Sequence, residues 1–275
     1  MKNSWMLFFL YKTVPGRMLL KLLVQPGVSK AAGRFLSSRL SKWMVPYYIR
    51  KNKIDLSDIE IPPKGFSSFN DFFTRKRRTR DGAFSCEGLI SPCDGFLTPV
   101  KIRENTIFSI KHTEYSLKDL LRDEDLAGKF QDGRALVFRL TPANYHRYCY
   151  AANGRVLLHK KIQGMLHCVR PIALRNVPVF TQNSREYTMM KTEKFGTMIQ
   201  MEIGALLVGK IRNHDSAFKI NEVEAGEEKG WFEFGGSTIV LLVQKDKIRL
   251  LEGFYDRQNQ DGEIPVRMGE MIAKK

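Results

Sequence analysis

The sequence predicts an α+β protein, a β-rich body of mostly antiparallel strands carrying a helical, amphipathic N-terminal arm. Three observations carry this expectation. Apolar residues recur at helical spacing through the first 44 residues. Beyond residue 85 come short runs rich in Val, Ile and Leu, separated by Gly-, Asn- or Asp-bearing turns. No long helical periods alternate with these runs, which argues against a parallel α/β sheet. The 275 residues suffice for one large domain, or one domain with a small appendage.

The arm is assigned to residues 1–55. Trp5–Tyr11 is apolar and is followed by a break at Pro15–Gly16. Met18, Leu19, Leu22 and Leu23 then repeat at helical spacing, and Gly27 interrupts again. From Val28 to Met44 the apolar positions Val28, Ala31, Ala32, Phe35, Leu36, Leu40, Trp43 and Met44 follow the spacing of one helix face, with Pro46 ending the run. Basic residues opposite Trp, Phe and Leu describe a helix lying in a membrane interface. They equally describe a helix packed on its own domain with a solvated basic face.

Lys51–Lys64, with Pro62–Pro63, reads as a linker to a body spanning residues 65–275. Ser68 caps a short helix running towards Arg75, and the charged run Arg75–Arg80 reads as a solvated face. Strands are expected at Arg134–Leu140, Arg155–Lys161, Thr197–Ile203, Leu206–Ile211, Thr238–Val243 and Ile248–Glu252, with one helix at Ser116–Arg122.

Composition narrows the class of partner. The net charge is +16, and residues 1–50 hold nine basic residues and no acidic one. More than half of the excess charge therefore sits in the arm, which asks for anionic lipid or nucleic acid. No zinc finger, helix-turn-helix or RNP-like aromatic motif supports nucleic acid. The four cysteines, Cys86, Cys93, Cys149 and Cys168, show no C-x-x-C spacing, so neither a zinc ribbon nor a thioredoxin-like site is indicated and no metal is expected. Four thiols in a chain of this size fit a reducing compartment. The longest apolar run, Trp5–Tyr11, is far short of a membrane span and a poor signal peptide.

Four segments carry candidate chemistry. Ser91-Pro-Cys-Asp94-Gly95 is a turn bearing a carboxylate. In Leu140-Thr-Pro-Ala-Asn-Tyr-His146-Arg-Tyr-Cys149, Thr141 and Pro142 can start a helical turn that would put His146 and Cys149 on one side. Asn183-Ser-Arg185-Glu-Tyr187 leads to the glycine-bearing strand after Glu202. Gly226-Glu-Glu-Lys-Gly-Trp-Phe-Glu-Phe-Gly235-Gly236-Ser237-Thr238 runs directly into an apolar strand. Each segment alone reads as ordinary turn or hairpin composition.

Together, in this order, the segments resemble the phosphatidylserine decarboxylase family across roughly residues 66–252. The resemblance implies that Ser237 attacks the carbonyl of Gly236, cutting the chain between them. Residues 1–236 and 237–275 would then form a large chain and its own cleaved small chain, the latter starting with a covalent pyruvoyl group derived from Ser237. A glycine at the attacked position has no Cβ to obstruct the hydroxyl, and a serine hydroxyl needs a base. The resemblance further implies a Schiff base between the pyruvoyl ketone and phosphatidylserine, loss of CO2, and phosphatidylethanolamine as product. Asp94 matches the family's carboxylate and His146 its histidine for the decarboxylation step.

One position departs from the family pattern. Where a second histidine usually completes the self-cleavage triad, this chain has Cys149. A thiol is a poor base near neutral pH, so either His146 serves both steps or His167 supplies the base. The implied partners are phosphatidylserine and an anionic phospholipid membrane at the cytoplasmic face of the cell, bound peripherally, with a homodimer as a further candidate. A pyruvoyl decarboxylase of another amino-acid-like substrate and a non-maturing membrane-binding relative stay open at this point.

Overall fold

The computed structural model describes residues 5–23, 25–78, 87–103, 107–110, 113–165, 167, 179–204, 210–235 and 237–275. Gly236, Cys86, Cys168 and most of the strand expected at Leu206–Ile211 lie outside the described residues. The helices are α1 (Trp5–Lys12), α2 (Val14–Leu23), α3 (Pro26–Leu36), α4 (Met44–Asn52), α5 (Phe69–Phe73), α6 (Leu117–Leu121), α7 (Glu124–Gly128) and α8 (Val179–Gln182). The strands open with β1 (Leu89–Ile90), β2 (Gly95–Lys101), β3 (Ile107–Ile110), β4 (Thr113–Ser116), β5 (Arg134–Leu140), β6 (Arg147–Cys149), β7 (Gly154–Ile162) and β8 (Arg185–Thr192). They continue with β9 (Gly196–Ile203), β10 (Ile211–Asn213), β11 (Glu222–Val223), β12 (Glu228–Phe232), β13 (Ser237–Val243), β14 (Arg249–Leu250), β15 (Ile264–Val266) and β16 (Met271–Lys274).

The α+β expectation holds. An eight-stranded sheet runs in the order β11-β7-β8-β9-β13-β5-β2-β15, and its neighbouring strands pair antiparallel. β13 is buried along its whole length because it is central and covered on both faces. Alternate side chains explain the two layers. Val240 and Leu242 point into a core shared with α2, α6, α7 and α8, whereas Ile239, Leu241 and Val243 point into a second core. The small sheets β10-β12-β6 and β1-β16-β14 contribute to that second core.

The arm is helical, as expected, but its breaks differ. α3 ends at Leu36, and a 3-10 turn at Arg39–Ser41 precedes α4. Pro46 lies in the first turn of α4 instead of ending a helix, a position where a missing N–H costs nothing. Leu10 and Leu20 pack into the body core, and Leu36 and Val45 into an aromatic cluster with Phe69, Phe72 and Phe73. Phe8, Val14, Met18, Leu40, Trp43 and Tyr47 face outward and are at least half exposed. The segment read as a linker also packs, since Ile54 and Ile59 are buried in that aromatic cluster and Ile59 bridges to Arg77. Among the described residues no helix is long and apolar enough to cross a membrane.

Candidate active site

Antiparallel alternation gathers the four candidate segments at one end of the main sheet. β2 and β13 begin there, and β5 and β9 end there. Asp94 immediately precedes β2, the 141–146 turn leaves β5, and Ser237 opens β13 opposite Leu140. Asn183 joins them because β8 starts at the same end, with Arg185 paired to Ile203. Two glycines allow the close approach. Gly95 has φ +159°, and a Cβ there would meet the Arg139 carbonyl oxygen at 2.7 Å. Gly235, with φ +152°, turns the chain just ahead of Gly236.

Ser237 is fully buried, and among the described residues its Oγ has no hydrogen-bond partner. A buried hydroxyl left unpaired costs about 1–3 kcal/mol. The hydroxyls of Thr238, Tyr150 and Tyr187 share that state, so what singles out Ser237 is its place directly after the Gly235–Gly236 pair. The Ser237 side chain shares a sheet face with Ile239, and Glu202, the β9 partner of Ile239, lies on that face too.

His146 is equally buried and rests on the Phe73 ring, with centroids 3.9 Å apart. Its Nδ1 lies 2.9 Å from the Asn144 carbonyl oxygen. A carbonyl only accepts, so Nδ1 carries the proton and Nε2 keeps its lone pair. Nε2 has no partner among the described residues. Burial, reinforced by the Arg75 charge, depresses the pKa of the ring to about 3. His146 is therefore a neutral imidazole whose Nε2 lone pair is open to accept a proton, although burial weakens it as a base.

Asp94 is differently engaged from a carboxylate oriented behind a base. Arg77 donates to both of its oxygens, at 3.1 and 2.6 Å, and the Met268 N–H donates at 2.9 Å. Among the described residues no hydrogen bond joins Asp94 to His146 or Cys149. Arg77 is itself held between Asp94 and Asp58.

The helical turn expected across Thr141–Cys149 is not formed. Thr141 and Asn144 close a tight turn, with Thr141 donating to Asn144 Oδ1, and the chain then extends into β6 against β12. In extended backbone, residues three apart point to opposite sides, so His146 and Cys149 part company. Cys149 is buried, with its Sγ 3.6 Å from the Pro92 carbonyl oxygen. Burial pushes its thiol up to about 12, which rules it out as a base near neutral pH.

His167 is buried and its pKa is lowered by burial. Its backbone exchanges hydrogen bonds with the Asn183 amide, and the same amide donates to the Gly204 carbonyl at 2.7 Å. His167 is thereby tied to the sheet end where Ser237 sits.

Three features escaped the sequence reading. The charged run after α5 is only in part a solvated face, since Lys76 and Arg78 are exposed but their neighbours turn inward. Arg75 is buried over the Phe72 ring, and Arg77 is ion-paired. The signal was the aromatic helix just before it, whose burial drags the following residues inward. A fully buried ion pair, Lys229 with Glu202, lies beneath the site, joined to Gln200 and Asn213. Burial raises the Glu202 pKa and lowers that of Lys229, and each partner opposes the shift of the other. Arg185 is a structural clamp, donating to the carbonyls of Leu120, Asp119, Thr181 and Asn183.

The chain is similar to known proteins over nearly its whole length. The family description for phosphatidylserine decarboxylase matches residues 69–274. Phosphatidylserine decarboxylase proenzyme 2 of Clostridium acetobutylicum is 42% identical over 269 residues, covering 97% of this chain and 90% of the relative. The phosphatidylserine decarboxylase proenzyme of Ruminiclostridium cellulolyticum is 36% identical, covering 96% and 89%. That of Fusobacterium nucleatum is 35% identical, covering 97% and 90%. The chain belongs to the phosphatidylserine decarboxylase family and is a decarboxylase.

Proposed function

We propose that this chain is a proenzyme that cuts itself between Gly236 and Ser237, and that the product converts phosphatidylserine to phosphatidylethanolamine on an anionic membrane. The observation supporting this most directly is two buried atoms at one end of the sheet, Ser237 Oγ and His146 Nε2, that have no partner among the described residues. His146 Nε2 takes the hydroxyl proton and Oγ adds to the Gly236 carbonyl. The C–N bond breaks, the nitrogen of residue 237 gains a proton, and an ester replaces the amide. Loss of the Cα proton of residue 237 expels the Gly236 carboxylate and leaves dehydroalanine. Water converts that to a pyruvoyl group and releases ammonia.

Position 237 fits such a group, being fully buried at a strand start, with an oxygen that nothing else in the described fold claims. Once formed, a pyruvoyl ketone supplies the electron sink for loss of a carboxylate. The rest falls to side chains. Each decarboxylation leaves a carbon that takes up one proton, and His146 Nε2 is the atom assigned to deliver it. The carboxylate newly ended at residue 236 adds a negative charge next in sequence to 237, which favours the protonated ring. His167 is the runner-up for the cleavage base, on the strength of its tie through Asn183 to Gly204.

The substrate test compares phosphatidylserine in mixed vesicles with free serine, reading CO2 release by the purified protein. Binding energy from the glycerophospholipid part is realised at the reacting centre, so free serine is expected to turn over at least ~100-fold less efficiently. Equal or better turnover of free serine would mean a soluble substrate.

We assign the arm to the surface of an anionic membrane, at the cytoplasmic face. Its outward side shows Leu40 and Trp43 at 74% and 70% exposure, among exposed Arg34, Arg39, Lys42 and Arg50. Apolar side chains amid basic ones suit the headgroup boundary, where each Lys or Arg is worth about 1 kcal/mol. Replacing Leu40 and Trp43 with serine is expected to cut partitioning onto phosphatidylserine vesicles by at least ~10-fold, without changing the melting temperature. Unaltered vesicle sedimentation would remove the arm from the interface.

A further inference from the structure

Arg75 is buried to 5% exposure and has no carboxylate partner among the described residues, a costly placement for a guanidinium. Its basic neighbours are neutralised. Arg77 pairs with Asp94 and Asp58, and Arg147 with Glu228. Arg75 donates instead to backbone carbonyls, to Phe72 at 3.4 Å from Nη1, and to Ala143 and Asn144 at 3.5 and 3.3 Å from Nη2. Its Nε has no partner among the described residues. The Asn144 carbonyl is the one that also accepts from His146 Nδ1.

We infer that Arg75 is a positioning residue for His146: the two side chains share the Asn144 carbonyl, and this holds the imidazole with Nδ1 protonated and Nε2 vacant. The inference rests on the reading of His146 as the cleavage base. The surrounding contacts act in the same direction. Phe73 covers one side of the ring, the Arg147 Nε donates to the Thr74 carbonyl at 2.8 Å, and the Phe232 N–H donates to the His146 carbonyl at 2.9 Å. The segment after α5 is thus stitched to the 141–147 segment on both sides of the ring. The ionisable groups on the segments that hold the ring are Arg75 and Arg77 after α5 and Tyr145 and Arg147 on its own segment, with Glu228 of β12 paired to Arg147. Arg147, Arg77 and Glu228 are each in ion pairs, and the Tyr145 hydroxyl accepts from the Arg77 N–H. Arg75 is the charge among them that has no ion pair among the described residues, and it lowers the ring's proton affinity.

The test uses the full chain with Ser237→Ala, which cannot cleave, so the readout does not depend on activity. Nitrogen-15 NMR of the histidine rings reports both tautomer and titration. The parent should show His146 as the Nδ1–H tautomer and unprotonated down to about pH 5. Adding Arg75→Met should mix the tautomers and move the titration up towards the ordinary histidine range. Arg75→Lys should keep the charge effect and lose part of the tautomer preference. In the cleavable chain, Arg75→Met should slow cleavage at least ~10-fold, with a deficit that deepens at acidic pH. A His146 that titrates near pH 6.5 in the parent, or is indifferent to Arg75→Met, overturns the inference. A deficit equal at every pH would also overturn it, by making Arg75 merely structural. A cleavable parent that never cleaves would instead overturn the maturation reading and leave the NMR result standing on its own.

Discussion

Ser237→Ala leaves the chain in one piece and abolishes decarboxylation. On the proposed maturation, alanine lacks both the nucleophile and the oxygen whose departure with the Gly236 carboxylate opens the way to the ketone, so the loss should be complete to the detection limit. Stability should move the other way. The hydroxyl is buried without a partner among the described residues, so removing it relieves an unpaired polar group and leaves a gap of only one atom. The variant is expected to melt at the same temperature as the parent or slightly above, a gain of about 1 kcal/mol. A single full-length band together with an unchanged melt would separate chemistry from folding. Residual two-band behaviour in Ser237→Ala would move the cleavage point elsewhere.

The second large effect is expected at His146. Glutamine keeps much of the volume and can still donate to the Asn144 carbonyl, but it has no basic nitrogen. His146→Gln should slow cleavage by ~100- to ~10,000-fold, the usual contribution of a general base. Cys149→Ala, with a thiol held protonated by burial, should cleave within about twofold of the parent and lose only about 1–2 kcal/mol of packing. His167→Ala decides the runner-up, since normal cleavage there with failed cleavage in His146→Gln assigns the base to His146. Because the folded ring has its pKa lowered from 6.5 to about 3, the parent's cleavage should be flat with pH across the neutral range. The same depression sets a stability slope. Below about pH 6.5 the unfolded chain takes a proton that the folded ring refuses, so stability is full above that pH and declines as pH falls towards about 3. His146→Gln should flatten that acid-side decline.

Much of the fold was legible because its signals are local. The apolar runs at β5, β7, β9 and β13 announce strands, and the Ser68 cap is realised by its bond to the Asp71 N–H. β8 was harder, since Arg185, Glu186 and Lys191 interrupt its pattern. The charges on Arg185 and Glu186 are accepted only because carbonyls, His159 and Asn213 meet them from elsewhere in the chain. The Thr141–Pro142 signal pointed to a helical turn, but pairing of β6 with β12, some eighty residues on, overrode it. Ser237 and Asp94 were singled out as candidates through motif order. The Arg77 bond to Asp94 and the Arg75 bond to the Asn144 carbonyl were not, because the charged run itself does not mark which side chains turn inward, and the one signal lay outside it, in the aromatic helix before it.

Intact-mass analysis of the freshly purified protein, with Ser237 present, bears most directly on the whole account. Two polypeptides are predicted, residues 1–236 and 237–275, the smaller one lighter by one ammonia than a serine-initiated fragment and refractory to amino-terminal sequencing. A single 275-residue species carrying an unmodified serine at 237, in protein that nonetheless decarboxylates phosphatidylserine, would contradict it.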